Sequence, residues 1–149
     1  MATVALTLKG RALRLLSARE YSRAELERRL QAFEEAPGSL ESVLNELQAK
    51  GFISAQRVLE SVIHRRAAKL GTARIRQELQ SKGLEPEAVA QAVEQLRSTE
   101  VDRAREVWRK KFGAPPADGA ERAKQMRFLA SRGFGGDAIH KVLSDTDEG

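Results

Sequence analysis

The chain repeats itself. Ile75, Leu79, Gly83, Leu84, Val89 and Val93 recur as Gln125, Leu129, Gly133, Phe134, Ile139 and Leu143, a constant offset of 50 (75 to 125, 93 to 143). Ser22, Leu26 and Leu30 stand 49 residues before Gly71, Ile75 and Leu79, and Val43 and Leu47 stand 46 before Val89 and Val93. The shorter offset follows from the longer loop at Pro37-Gly38. One position breaks the pattern: Gln125 falls where Ile75 stands, and neighbouring Met126 is expected to supply the apolar contact instead. A period of this size is the signature of stacked supersecondary units, each burying its apolar face against the next. The expected fold is all-α: three tandem three-helix repeats, residues 1–53, 54–99 and 100–149, forming an elongated, curved molecule. Repeat surfaces of this kind usually bind something large.

Punctuation divides the chain into nine helical segments. The first, from about Gly10 to Arg19, places Ala12, Leu13, Leu16 and more loosely Leu15 on one side. Ser22 with Glu25 forms a capping box that opens the second, in which Leu26, Leu30 and Phe33 follow at helical spacing. Pro37-Gly38 breaks it, Ser39 is the expected N-cap of the third, and Gly51 ends that helix. Ser54 opens the fourth, the turn at Leu70-Gly71-Thr72 leads into the fifth, and Pro86 takes a first helical position in the sixth, where its missing N–H costs nothing. The seventh carries Ala104, Val107, Trp108 and Phe112 up to the break at Gly113-Ala114-Pro115-Pro116. Met126 and Leu129 mark the eighth, and Ile139, Val142 and Leu143 the ninth.

Composition agrees with helices: 5% aromatic and 32% charged among 149 residues, rich in Ala, Leu, Glu, Arg and Lys. The absence of cysteine removes disulfides, thiolate metal sites and cysteine nucleophiles. No apolar run approaches the roughly 18 residues of a membrane span, and Met1 to Lys9 lacks the pattern of a secretory signal. A soluble cytoplasmic protein is expected.

Catalysis finds little support. The two histidines, His64 and His140, sit beside Arg65 and Lys141 on charged helices with no carboxylate four residues on. Lone histidines of this kind are ordinary surface residues far more often than ligands or bases. No phosphate loop, nucleophile elbow or zinc-protease motif is present. Gly133-Phe134-Gly135-Gly136 joins helix to helix and reads as a stop and a tight turn. The expectation is a protein that is not an enzyme and takes no cofactor or metal.

Charge is the remaining asset. The net charge of +5 understates a local imbalance. Residues 57–82 carry 7 basic and 2 acidic groups, and residues 103–132 carry 9 and 3, against 8 and 7 in residues 1–53. The tail Asp145-Thr146-Asp147-Glu148 is acidic. Arg65, Arg66 and Lys69 with Arg74 and Arg76 cluster around one turn; Lys110 and Lys111 end the seventh helix beside Arg109, and Lys124, Arg127 and Arg132 line the eighth. As solvated helix faces these would be unremarkable, since cations near helix C-termini favour the dipole. As a face they suit phosphates or an acidic protein groove. Trp108, Phe112, Phe128 and Phe134 fall at core spacings and read as packing residues rather than base-stacking platforms.

The sequence resembles the RecX family of regulators of the bacterial RecA recombinase, from about Ala12 to Leu143. Ala12-Leu13-Arg14-Leu15-Leu16 and Ser22-Arg23-Ala24-Glu25-Leu26 resemble the family's opening. Ile75-Arg76-Gln77-Glu78-Leu79 with Lys82-Gly83 matches its middle signature, and Lys124-Gln125-Met126-Arg127-Phe128-Leu129 with Arg132-Gly133-Phe134 its third. Val58 stands where the family usually has Phe, Leu70-Gly71 replaces an aromatic-Gly, and Thr72 replaces Pro, all of which read as altered packing. The resemblance implies a non-enzymatic modulator that enters the groove of the RecA–DNA filament and damps strand exchange, ATP hydrolysis and the coprotease role in the SOS response. The implied partners are the RecA filament and, weakly and non-specifically, single- and double-stranded DNA, with no membrane and a monomeric protein. Charge nominates Arg65, Arg66, Lys69, Arg74, Arg76, Lys110, Lys111, Lys124, Arg127 and Arg132 as the filament- or DNA-contacting face. Two alternatives differ in class: a helix-turn-helix DNA-binding protein reading the major groove with Arg74, Arg76 and Gln77, and a scaffold that binds only acidic protein.

Overall fold

The computed structural model describes residues 6–147; Glu148 of the acidic tail lies outside them. Among the described residues the chain forms nine α-helices and no strand: α1 (Leu8–Ala18), α2 (Arg23–Leu30), α3 (Ser39–Ala49), α4 (Ala55–Arg66), α5 (Thr72–Ser81), α6 (Pro86–Ser98), α7 (Glu100–Lys111), α8 (Gly119–Ser131) and α9 (Gly136–Asp147). A single 3-10 turn, Gln31–Phe33, follows α2. No helix among them is long and apolar enough to cross a membrane. The helices group into two compact units, residues 6–61 with 82–84, and residues 62–81 with 85–147, so that α4 runs from one into the other.

The first unit closes around Leu8, Ala12, Tyr21, Leu26, Leu30, Leu40, Leu44, Leu47 and Ile53. Its second helix starts as the capping box requires: Glu25 N–H donates to the Ser22 hydroxyl at 3.1 Å, and Ser22 N–H donates to the Glu25 carboxylate at 3.0 Å. Arg19 and Lys82 reach the other Glu25 oxygen at 3.0 and 3.1 Å. Burial pushes the Glu25 carboxyl up, but the Ser22 N–H, Arg19 and Lys82 outweigh it and hold the pKa at about 2.

Two expectations fail in this unit for local reasons. Phe33 is 44% exposed, because the chain tightens from α-helix to 3-10 turn after Leu30 and carries the ring off the stripe of Leu26 and Leu30. Ser39 is the first residue of α3 rather than its N-cap. Gly38 takes the cap position with φ +85°, and the Ser39 hydroxyl accepts from Ala36 N–H at 3.2 Å.

In the second unit, Ala104, Trp108, Leu129, Phe134, Ile139, Val142 and Leu143 make one buried cluster. The offset of 50 holds where it was weakest. Gln125 takes the place of Ile75 and is 2% exposed, whereas Met126 is 43% exposed and stands outside the buried cluster. The Trp108 indole N–H donates to Gln125 Oε1 at 2.8 Å, and Gln125 Nε2 donates to the Ala114 carbonyl at 3.2 Å. A buried amide so satisfied avoids the penalty that an unpaired one would carry. Asp145 at the end of α9 is tied to α7 by Arg105 at 2.6 Å, which with Lys141 holds its carboxyl below the ordinary carboxylate range.

Candidate functional site

The second unit is assembled by two devices that also set its surface. The first is a backbone contact at two glycines. Gly71 N–H donates to the Arg132 carbonyl at 2.8 Å, and Ala73 N–H donates to the Gly133 carbonyl at 3.2 Å. A Cβ on Gly71 would lie 2.3 Å from the Gly133 carbonyl, and one on Gly133, whose φ is +93°, would lie 2.3 Å from Arg74 Cγ. The turn before α5 therefore rests on the turn after α8 with no side chain between them.

The second device is Arg103. Its Nη1 donates to the carbonyls of Ala67 (3.0 Å) and Leu70 (2.7 Å), its Nη2 to Thr72 Oγ1 (3.1 Å) and the Leu96 carbonyl (3.0 Å), and its Nε to Thr99 Oγ1 (3.1 Å). All five guanidinium donors are used. The cation sits where the C-terminal carbonyls of α4 and α6 converge, the end of a helix that favours positive charge. Burial pushes the Arg103 pKa down, against the pull of Glu100. One turn earlier on α7, the Glu100 carboxylate accepts from Thr72 N–H at 2.9 Å and so caps α5. Neither residue stands among the ten nominated from charge. The available signal was their spacing: Glu100, Arg103 and Val107 fall on one flank of a helix that is partly buried.

These contacts bring part of the nominated face together. Arg66, Lys69, Arg74 and Arg132 line one open depression, with Glu78 as its one carboxylate. Arg74 is positioned by the glycine contact and donates to the Ser131 carbonyl at 2.8 Å. Arg66 lies 3.0 Å and Arg65 3.8 Å from the Glu78 oxygens, so both arginines lean on that acid. The Arg132 guanidinium stands 4.9 Å from the Phe128 ring centroid and Lys111 Nζ 5.3 Å from the same ring, while Phe112 meets it edge-on at 5.4 Å. Phe128 and Phe112 are half-buried packing residues, and Trp108 and Phe134 are buried, as their spacing predicts.

The other nominated residues are placed apart from this depression. Arg76 lines a cleft with Arg97, Glu100 and Gly135. Lys124 and Arg127 line a third hollow beside the Ala114-Pro115 loop, together with Asp118 and Glu121. Lys110 is exposed at the end of α7. His64 and His140 are both exposed, and His140 Nε2 lies 3.4 Å from the Ser144 hydroxyl. What the arrangement offers chemically is four long cations on rigid supports around a shallow floor. Such an arrangement suits an extended anionic surface.

Known proteins share this plan. Three family models match in chain order: "RecX, first three-helix domain" over residues 9–47, the second over 56–93 and the third over 98–143. The regulatory protein RecX of Leptothrix cholodnii is 54% identical over 142 residues, covering 95% of this chain and 90% of its own. That of Ralstonia nicotianae is 45% identical, covering 95% of this chain and 89% of its own. The crystal structure of RecX from Lactobacillus salivarius superposes with a TM-score of 0.78 over 95% of both chains at 19% identity, which speaks for the fold. Nine helices among the described residues in three tandem domains, and relatives at this identity along nearly the whole length, make the chain a member of the RecX family of regulatory proteins.

Proposed function

We propose that the protein is a non-enzymatic negative modulator of RecA recombinase, binding in the groove of the RecA–DNA filament and lowering its recombinase, ATPase and coprotease activities. In this reading it acts in the cytoplasm on DNA repair and the SOS response, and its repeats at 1–53, 54–99 and 100–149 are the modules that follow the groove. Family membership carries the role. The observation that carries the contact is the depression lined by Arg66, Lys69, Arg74 and Arg132. A groove walled by protein and floored by phosphate asks for cations on supports that do not yield, and the glycine contact and Arg103 supply the supports. The remaining nominated residues, Arg65, Arg76, Lys110, Lys111, Lys124 and Arg127, would extend the contact. Free DNA would be held weakly and without sequence preference.

The helix-turn-helix alternative is served less well. A groove-reading helix presents its N-terminal residues to base edges. Here the start of α5 is covered by residues 132–133 and its Arg74 is already engaged with Ser131.

The test is RecA-catalysed, single-stranded-DNA-dependent ATP hydrolysis with the protein titrated in below one per recombinase. Hydrolysis falls at substoichiometric amounts if the reading holds, and the K69E/R132E double variant loses that effect while keeping its helical content. Unchanged hydrolysis at excess folded protein removes the reading, and sequence-selective duplex binding would put the helix-turn-helix alternative in its place.

A further inference from the structure

The first unit contains a second arginine cluster, which its near-neutral charge conceals. Most of the unit's cations are spent on acids: Lys9 and Lys50 on Glu46, Arg19 and Lys82 on Glu25, Arg23 on Glu27, and Arg57 on Glu20. Arg11, Arg14 and Arg29 form no ion pair among the described residues. All three line one depression of about 240 Å³ whose remaining wall is apolar, made by Leu6, Leu15, Leu30 and Phe33, with no carboxylate in it. Single exposed apolar side chains are ordinary. Here Leu6 and Phe33, two of the four large hydrophobic residues that stand exposed, share one seat.

We propose that this seat docks a short acidic segment of a partner protein, one that carries an apolar side chain between carboxylates. Guanidinium groups pair with carboxylates through two parallel hydrogen bonds, and arginines beside an apolar hollow are the usual anchors of protein interfaces. An acidic-apolar peptide satisfies both halves of the seat at once. A nucleic-acid strand satisfies one: its phosphates would pair with the arginines, but the apolar wall is aliphatic apart from Phe33, one face of which Arg11 covers at 4.0 Å, and so offers its bases little to stack on. The proposal concerns a different surface from the cationic depression of the second unit and does not depend on the modulator reading.

The probe is a fluorescein-labelled peptide, Asp-Glu-Leu-Asp-Asp-Phe-Glu-Asp, titrated with the full chain and followed by anisotropy. A second peptide with Ser in place of Leu and Phe keeps the charge and drops the apolar anchors. The acidic-apolar peptide binds, the Ser peptide binds about tenfold more weakly, and the R14E/R29E variant loses about tenfold in affinity. F33S, a change at an exposed side chain that keeps all three arginines but removes the ring on which Arg11 rests, loses about fivefold and provides a reading should the double variant misfold. Equal binding of the two peptides, or full affinity in folded R14E/R29E and F33S, overturns the proposal. So does ready displacement of the peptide by oligothymidylate, which would make the seat a nucleic-acid contact.

Discussion

Helices α2 and α5 begin at equivalent places in the repeat, Ser22 and Gly71 being 49 residues apart, yet their first N–H groups are satisfied in opposite ways. The start of α2 is closed by its own residues, Ser22 and Glu25 exchanging hydrogen bonds across three positions. The start of α5 is closed from far away: Glu100 takes Thr72 N–H from 28 residues down the chain, and the carbonyls of Arg132 and Gly133 take those of Gly71 and Ala73. A local cap makes a helix start that stands by itself. A remote cap makes the start of α5 depend on the third repeat being in place, and turns one glycine from a loose joint into a fitted part.

The largest effect is expected at Gly71. G71A drives a Cβ into the backbone at Gly133, which cannot swing aside as a side chain would. The expected cost is about 3 kcal/mol or more, read as a fall in the urea midpoint. Exchanging the two cap residues gives unequal outcomes: G71S suffers the same collision, while S22G loses only about 0.3 kcal/mol. R103K comes next. Lysine has three donors on one nitrogen and cannot reach acceptors spread over α4, α5 and α6, so two or more helix-end acceptors lose their partner at a cost of about 2 kcal/mol. Retention of the wild-type midpoint in R103K would mean that the helix ends do not need it.

S22A removes the local cap and is expected to cost about 1 kcal/mol, with no change in the second unit. Acid acts on the same cap. Glu25 titrates near 2 in the folded chain against an ordinary 4.5, so its contribution is complete above pH 4.5 and is lost as the pH falls through 2. E25Q should therefore flatten the decline in stability between those values; an unaltered acid limb would assign the decline elsewhere. The smallest effect is at Glu78. E78Q releases Arg65 and Arg66 from their shared acid and should raise affinity for oligothymidylate about twofold, opposite in sign to the effect of merely loosening an ion pair. A loss of affinity would place Glu78 among the supports of the site instead.

What the sequence made legible follows the same division between near and far. The capping box, Pro86 at the first turn of α6 and the offset that sets Gln125 over Ile75 all depend on residues a few positions apart or on a strict period. Met126 was expected to fill the core at that point because glutamine is a poor core residue by itself. That rule is overruled by the indole N–H of Trp108, 17 positions away, which no periodicity reveals. Phe33 kept its helical spacing on paper and lost it to a 3-10 turn. The cationic depression was half visible: charge counts pointed to the turn around residues 65–76 and to the end of α8. That Arg74 and Arg132 line one hollow while Arg76 lines another depends on how the Gly71 and Gly133 turns meet.

The buried Trp108–Gln125 pair has a spectroscopic consequence. Trp108 is the chain's one tryptophan, so excitation at the red edge of the protein absorption interrogates the second unit alone, through an indole whose N–H is bonded to an amide rather than to water. Far-UV circular dichroism counts the helices of both units alike. Two melts of the same sample, one by each signal, would superpose if the units unfold as one. If the curves separate, the optical trace belongs to the unit that holds the cationic depression and the difference belongs to the other.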